Sequence, residues 1–154
     1  MARILLVAIL TALVAGCGGG DDDDGAVEPV NCADEPRADT YVANMDKTGE
    51  GGQLGFVLVS SDPGPPAKGD NDWVIAVVDG DDQPVSGATI TVTPYMPDHG
   101  HGTPIDVVVT PDDGDGRYGV GPVNLWMPGL WQVTVDAESS AGDDAAVFAF
   151  CIEG

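Results

Sequence analysis

Positive charge is what this chain has least of. Lysine and arginine total five against 26 aspartates and glutamates, a formal net charge of −21 at pH 7. A surface that grips a phosphate backbone needs clustered cations to release counterions, so nucleic acid is excluded as a partner. No stretch repeats apolar residues at helical spacing, which argues against bundles and mixed α/β folds. The signatures of catalysis are missing as well: there is no Gly-x-Ser-x-Gly elbow, no phosphate-cradling glycine loop and no dinucleotide fingerprint. The many carboxylates offer no pair that spacing places across a cleft, and the chain is not expected to be an enzyme. Histidine occurs only twice and cysteine three times.

Long hydrophobic runs are nearly absent too. The exception, Ile4 to Val14 behind Arg3, is too short to span a bilayer and has the order of a secretory signal peptide. It ends in Val14-Ala15-Gly16-Cys17, which resembles the lipobox of bacterial lipoproteins, where small residues precede a cysteine that is lipidated and becomes the mature N-terminus. The resemblance implies a leader over 1–16, lipid on Cys17, attachment to a membrane through that lipid anchor, and a place in the cell envelope facing the periplasm or the exterior. More than one acyl chain makes such attachment stable, at about 0.8 kcal/mol per buried methylene. Loss of Arg3 with the leader would take the net charge to −22. Residues 17–31, opening with Gly-Gly-Gly-Asp-Asp-Asp-Asp-Gly after the cysteine, cannot bury apolar surface and read as a solvated acidic tether.

Residues 32–154 then form one domain. With Cys17 taken by lipid, Cys32 and Cys151 remain near its two ends. In an oxidising compartment their natural reading is a disulfide, which the chain-entropy treatment credits with roughly 4 to 5 kcal/mol. Two free thiols acting as metal ligands are the alternative.

What the domain does contain is short β-branched and aromatic runs broken by Gly, Pro, Asp and Asn. Leu54 to Ser60 and Trp73 to Asp79 read as buried strands, separated by a proline loop at Asp62 to Pro66. Ala88 to Thr93 alternates, with Ile90 and Val92 on the core face. Ile105, Val107 and Val109 alternate again up to the turn at Pro111 to Gly116, followed by Tyr118 and Val120. Trp131, Val133 and Val135, then Phe148, Phe150 and Ile152, complete the set. Seven to eight strands at near-regular spacing predict an all-β, immunoglobulin-like antiparallel sandwich, with three tryptophans and a disulfide supplying its core.

Both histidines, His99 and His101, fall in one window, Tyr95-Met-Pro-Asp-His-Gly-His-Gly102. The glycine, proline and aspartate around them place them on an accessible loop after the Ala88 strand. Strand parity puts Met96 on the face of Ile90 and Val92, at the rim of the core. A thioether with two imidazoles suits Cu(I), while imidazole alone also suits Cu(II), Zn(II) or Ni(II). Met127, in the turn Trp126-Met-Pro-Gly129, completes a Met2His2 set if its turn lies at the same end of the sandwich. The competing reading is a polar turn with both methionines filling gaps at the core edge.

Three runs carry a second resemblance: Pro94 to Gly102, Gly116-Arg-Tyr118, and Met127-Pro-Gly129-Leu-Trp131-Gln-Val-Thr-Val135. Together, over roughly Trp73 to Phe150, they resemble the YtkA-like domain, which is similar to the FixH family. The resemblance implies an immunoglobulin-like sandwich in an exported or membrane-attached protein, with some members linked to copper handling or oxidase assembly. The Met- and His-rich loop of the family falls on Met96, His99 and His101, and its later methionine on Met127. Tyr118 and Trp131 are then core residues, and Gly129 serves the turn. The long acidic tether and the outer cysteines depart from the family. The expected function is that of a lipid-anchored copper carrier or chaperone, delivering to a copper-recipient protein; the alternative is an interaction module of the cell envelope that holds no metal.

Overall fold

The computed structural model describes residues 30–111 and 114–154. The proposed leader, Cys17 and most of the acidic tether therefore lie outside the described residues, as do Asp112 and Asp113. No helix among the described residues is long and apolar enough to cross a membrane.

After a 3-10 turn at Cys32–Asp34, the described chain forms nine strands: β1 Met45–Thr48, β2 Gly55–Asp62, β3 Gly69–Val78, β4 Thr89–Met96, β5 His101–Gly102, β6 Val108–Pro111, β7 Arg117–Leu125, β8 Gly129–Ser139 and β9 Gly142–Ile152. Two antiparallel sheets stack face to face, one in the order β1-β2-β3-β7-β6 and the other β5-β4-β8-β9. The expected β-sandwich is thus the observed architecture. The two strands that spacing did not reveal are β5 and β1: β5, with two residues, is too brief to show an alternating pattern, and β1, Met-Asp-Lys-Thr, carries a single apolar residue.

Alternation does the folding. Along β4 every second residue is buried, and β3 and β8 bury Trp73, Ile75 and Val77 and Trp131, Val133 and Val135 from opposite sides. Trp73 meets Phe148 and Phe150 edge-on, at centroid distances of 6.3 and 5.7 Å, the arrangement that aromatic quadrupoles favour. Tyr118 is buried and donates its hydroxyl to the Val85 carbonyl at 2.7 Å, while accepting from the Ala88 amide at 2.9 Å. Trp126 departs from expectation: it is 44% exposed and lies outside the core. It follows Leu125, the last residue of β7, so it belongs to the turn and not to the strand's inward register.

The Cys32–Cys151 disulfide is present and joins residues 119 positions apart. It ties the segment ahead of β1 to β9, the edge strand of the second sheet. That edge is further covered by polar groups. The Asp39 carboxylate accepts from the Ala149 amide at 2.8 Å and the Lys47 ammonium donates to the Val147 carbonyl at 2.7 Å; the Glu50 amide donates to the Ala145 carbonyl. Spare β9 backbone groups are thereby satisfied, which blocks edge-to-edge pairing.

Candidate functional site

The histidine loop is built as a tight reversal between β4 and β5. The Met96 carbonyl accepts from the amides of His99, at 3.3 Å, and Gly100, at 2.9 Å, and Gly100 takes φ +70°, a conformation that costs glycine little. The chain then returns along itself, with Met96 paired to His101 and Tyr95 to Gly102. His99 is left exposed at the tip and His101 half-buried.

Met96 points inward as parity predicts, but it sits deeper than the rim of the core: it is fully buried within the main apolar cluster. The reason lies on the neighbouring strand. Gly129 has no side chain, and a Cβ there would stand 2.6 Å from the Met96 Cε and 4.0 Å from the His99 Nε2. The missing side chain leaves the space that the methionine terminus fills. The Met96 terminus and the His99 ring thus both border the start of β8 at Gly129.

The second imidazole completes the arrangement. The rings of His99 and His101 lie 5.7 Å apart, tilted by 54°. With metal–nitrogen bonds of about 2 Å and each ring centroid about 1 Å further out, two imidazoles sharing one ion stand roughly 5 to 6 Å apart. The His101 Nδ1 lies 3.0 Å from the Gly102 carbonyl oxygen. A carbonyl only accepts, so this contact is a hydrogen bond when Nδ1 carries the proton, and in the neutral ring that tautomer has its lone pair on Nε2. Orientation of a ligand imidazole by its other nitrogen is the common device of metal sites.

The Trp126-Met127 turn lies at this same end. Trp126 stacks on His101 with centroids 5.6 Å apart and planes 26° from parallel, and the turn is braced by the Trp131 indole N–H, which donates to the Met127 carbonyl at 2.9 Å. The juxtaposition of the two loops is therefore met, through Trp126 and Gly129. The Met127 side chain itself is half-buried and packs against the core. Among the described residues no group of three or more His, Cys, Asp or Glu side chains is placed to hold a metal, so an ion at this end depends on thioether sulfur. One buried thioether with two imidazoles, one of them oriented by the Gly102 carbonyl, would make a low-coordinate, soft donor set of the kind that suits Cu(I) better than oxygen-seeking ions do.

Three supports were not visible in the sequence. Arg37 forms a bidentate pair with Asp98, at 2.8 and 2.7 Å, and also holds Glu35. The Arg37 guanidinium, donating to Asp98, keeps that carboxyl below the usual carboxylate range. The segment anchored by the disulfide is thus linked to the residue before His99. On the other side, Thr103 donates to Asn124, and Asn124 donates to Asp70, at 3.2 and 2.5 Å, joining the loop after β5 to β7 and β3. Trp126 itself had one available signal: a large aromatic directly ahead of Met-Pro-Gly sits in turn chemistry, where it is free to face a neighbouring loop.

A sequence model described as YtkA-like matches residues 48–136. The match starts earlier than the resemblance read from Trp73 onward, taking in the β2 strand, and includes the whole histidine loop and the Met127 turn. No curated protein and no solved structure matches the chain. Since the matched span covers more than half of the sequence, the chain belongs to the YtkA-like family.

Proposed function

We propose that this protein is a lipid-anchored, extracytoplasmic copper-binding protein that carries Cu(I) between envelope partners and performs no covalent chemistry. The observation that carries this reading is the convergence at Gly129 of the Met96 terminus and His99 Nε2, with the His101 ring 5.7 Å from that of His99. These are the two histidines of the chain, held together with a methionine by strand pairing and a glycine vacancy. The strongly acidic surface adds a field that draws cations and disfavours anionic partners. An exposed His99 and a half-buried His101 suit a carrier, which must release its ion to a recipient protein, better than a closed structural site. Met127 is a candidate fourth donor: reaching the ion would take a rotamer change away from the core edge, within the flexibility of an unbranched thioether.

The exposed Trp126 and Tyr95 at the same end favour the second reading, an interaction module without metal. One titration separates the two. The full chain, in detergent, competes for Cu(I) with a chromogenic chelator under anoxic conditions, beside a His99→Ala/His101→Ala variant. The expected result is one-to-one binding, weakened at least 100-fold in the variant. No competition by the wild-type chain would remove the metal site and leave the interaction module.

A further inference from the structure

Trp126 spends exposed aromatic surface where burial would be the default, and it spends it on a histidine. Of the three tryptophans, Trp73 and Trp131 are buried in the core, whereas Trp126 is 44% exposed and stacks on the His101 ring with centroids 5.6 Å apart and planes 26° from parallel. We infer that Trp126 is a positioning residue of the site, an aromatic wall that holds the His101 imidazole edge-on to the ion through ring stacking. The inference rests on the copper reading above and deepens it.

The geometry leaves His101 little freedom. Its Nδ1 is committed to the Gly102 carbonyl, and its backbone is paired to Met96. Breaking the Nδ1 contact takes rotation of the ring about its Cβ–Cγ bond, and a stacked indole opposes that motion. The Trp126 turn is in turn fixed by the Trp131 N–H to the Met127 carbonyl, so the wall is anchored in the core and not in the mobile face of a loop. Coordination strengthens the contact, because an imidazole that donates to a cation becomes electron-poor and stacks better on an electron-rich indole. His99 is exposed and has no such wall among the described residues.

Trp126→Leu and Trp126→Phe variants of the full chain test the assignment, with Cu(I) as the probe and a chromogenic chelator as competitor. Stacking predicts that Leu weakens binding about tenfold while Phe, which keeps an aromatic face, stays within about threefold of wild type. In the metal-free protein, the His101 ring protons should be shifted upfield by the indole ring current and lose that shift in the Leu variant, at unchanged Tm. Copper should quench the exposed-tryptophan component of the wild-type emission, and that component should be missing from the Phe variant although it still binds. Wild-type affinity in the Leu variant would overturn the inference and leave copper binding standing. Equal weakening in the Leu and Phe variants would also overturn it, by tracing the loss to the turn. If the wild-type chain does not compete for Cu(I), the copper reading itself fails, and the inference with it.

Discussion

The two ends of the sandwich use polar side chains in opposite ways. They are separated along β8 by the run from Gly129 to Ala137, roughly 26 Å at about 3.3 Å per residue. At the far end Asp144 is wholly committed to structure. Its carboxylate accepts from the amides of Gly51, Gln53 and Leu54 at 2.7 to 3.0 Å and from its neighbour Ala145 at 2.9 Å. Desolvation pushes the Asp144 carboxyl up, but the Leu54, Gly51, Gln53 and Ala145 amides together outweigh it and hold it at about 2. At the near end the rings of His99 and His101 lie 5.7 Å apart, and the His101 ring is held through its Nδ1 by the Gly102 carbonyl. A polar group saturated by backbone can do no chemistry; one held by its back atom can.

The largest effect is expected at the disulfide, which holds β9 at the near end, where Cys151 pairs with Leu130. A Cys32→Ser/Cys151→Ser variant removes a link across 119 residues and should lower stability by about 3 kcal/mol, measured by denaturant unfolding. It should also loosen the segment carrying Arg37, so copper affinity should fall as well. Unchanged stability would mean that the sheets alone hold the segment in place.

Gly129→Ala joins core and site in one substitution. A Cβ at φ +129° has to displace the Met96 terminus, which should cost about 2 to 3 kcal/mol and abolish tight copper binding. Binding retained at wild-type strength would show that the Met96 sulfur is not a ligand.

Asp144→Ala sharpens the contrast, since it should act on stability alone. Leaving the amides of the Gly51 to Leu54 turn without their acceptor should cost about 2 kcal/mol, while copper affinity stays within twofold of wild type. The same carboxylate sets a pH dependence. Its folded pKa is depressed, so its contribution is complete above the unfolded value near 4 and is lost as pH falls toward about 2; after allowance for solvent screening it amounts to about 1 to 2 kcal/mol. Acid unfolding of the Asp144→Ala variant should lack that component between those values.

Arg37→Ala is the smallest step. The pair with Asp98 is solvent-exposed, so thermal stability should hardly change, and copper affinity should drop by no more than a few fold through a looser His99 loop. A loss as large as that of the double histidine variant would instead make the Arg37 clamp essential to the site.

Legibility followed periodicity. The Ile90, Val92 and Met96 parity and the Trp131 to Val135 face could be read because a strand alternates with a fixed period of two, and burial obeys it, whereas the Tyr118 core position came from the family resemblance. The β5 strand could not be read, because two residues carry no period and its pairing to β4 is created by the turn at Gly100. The exposure of Trp126 was misjudged for a related reason: hydrophobicity predicts burial, but the residue stands one step past the end of β7, where register no longer governs direction.

What the sequence by itself determined is the local alphabet of this protein: alternating strands, turn residues between them, a pair of cysteines at the domain ends and two histidines within three positions of each other. Tertiary structure alone decided that Gly129, thirty positions from His99, supplies the space beside it, that Trp126 lies on His101, and that Arg37 reaches Asp98. Strand character follows from side-chain patterns a few residues long, whereas these contacts depend on which strands become neighbours and in which register. That choice is made by the packing of both sheets on one core, a property of the whole chain that no local pattern contains.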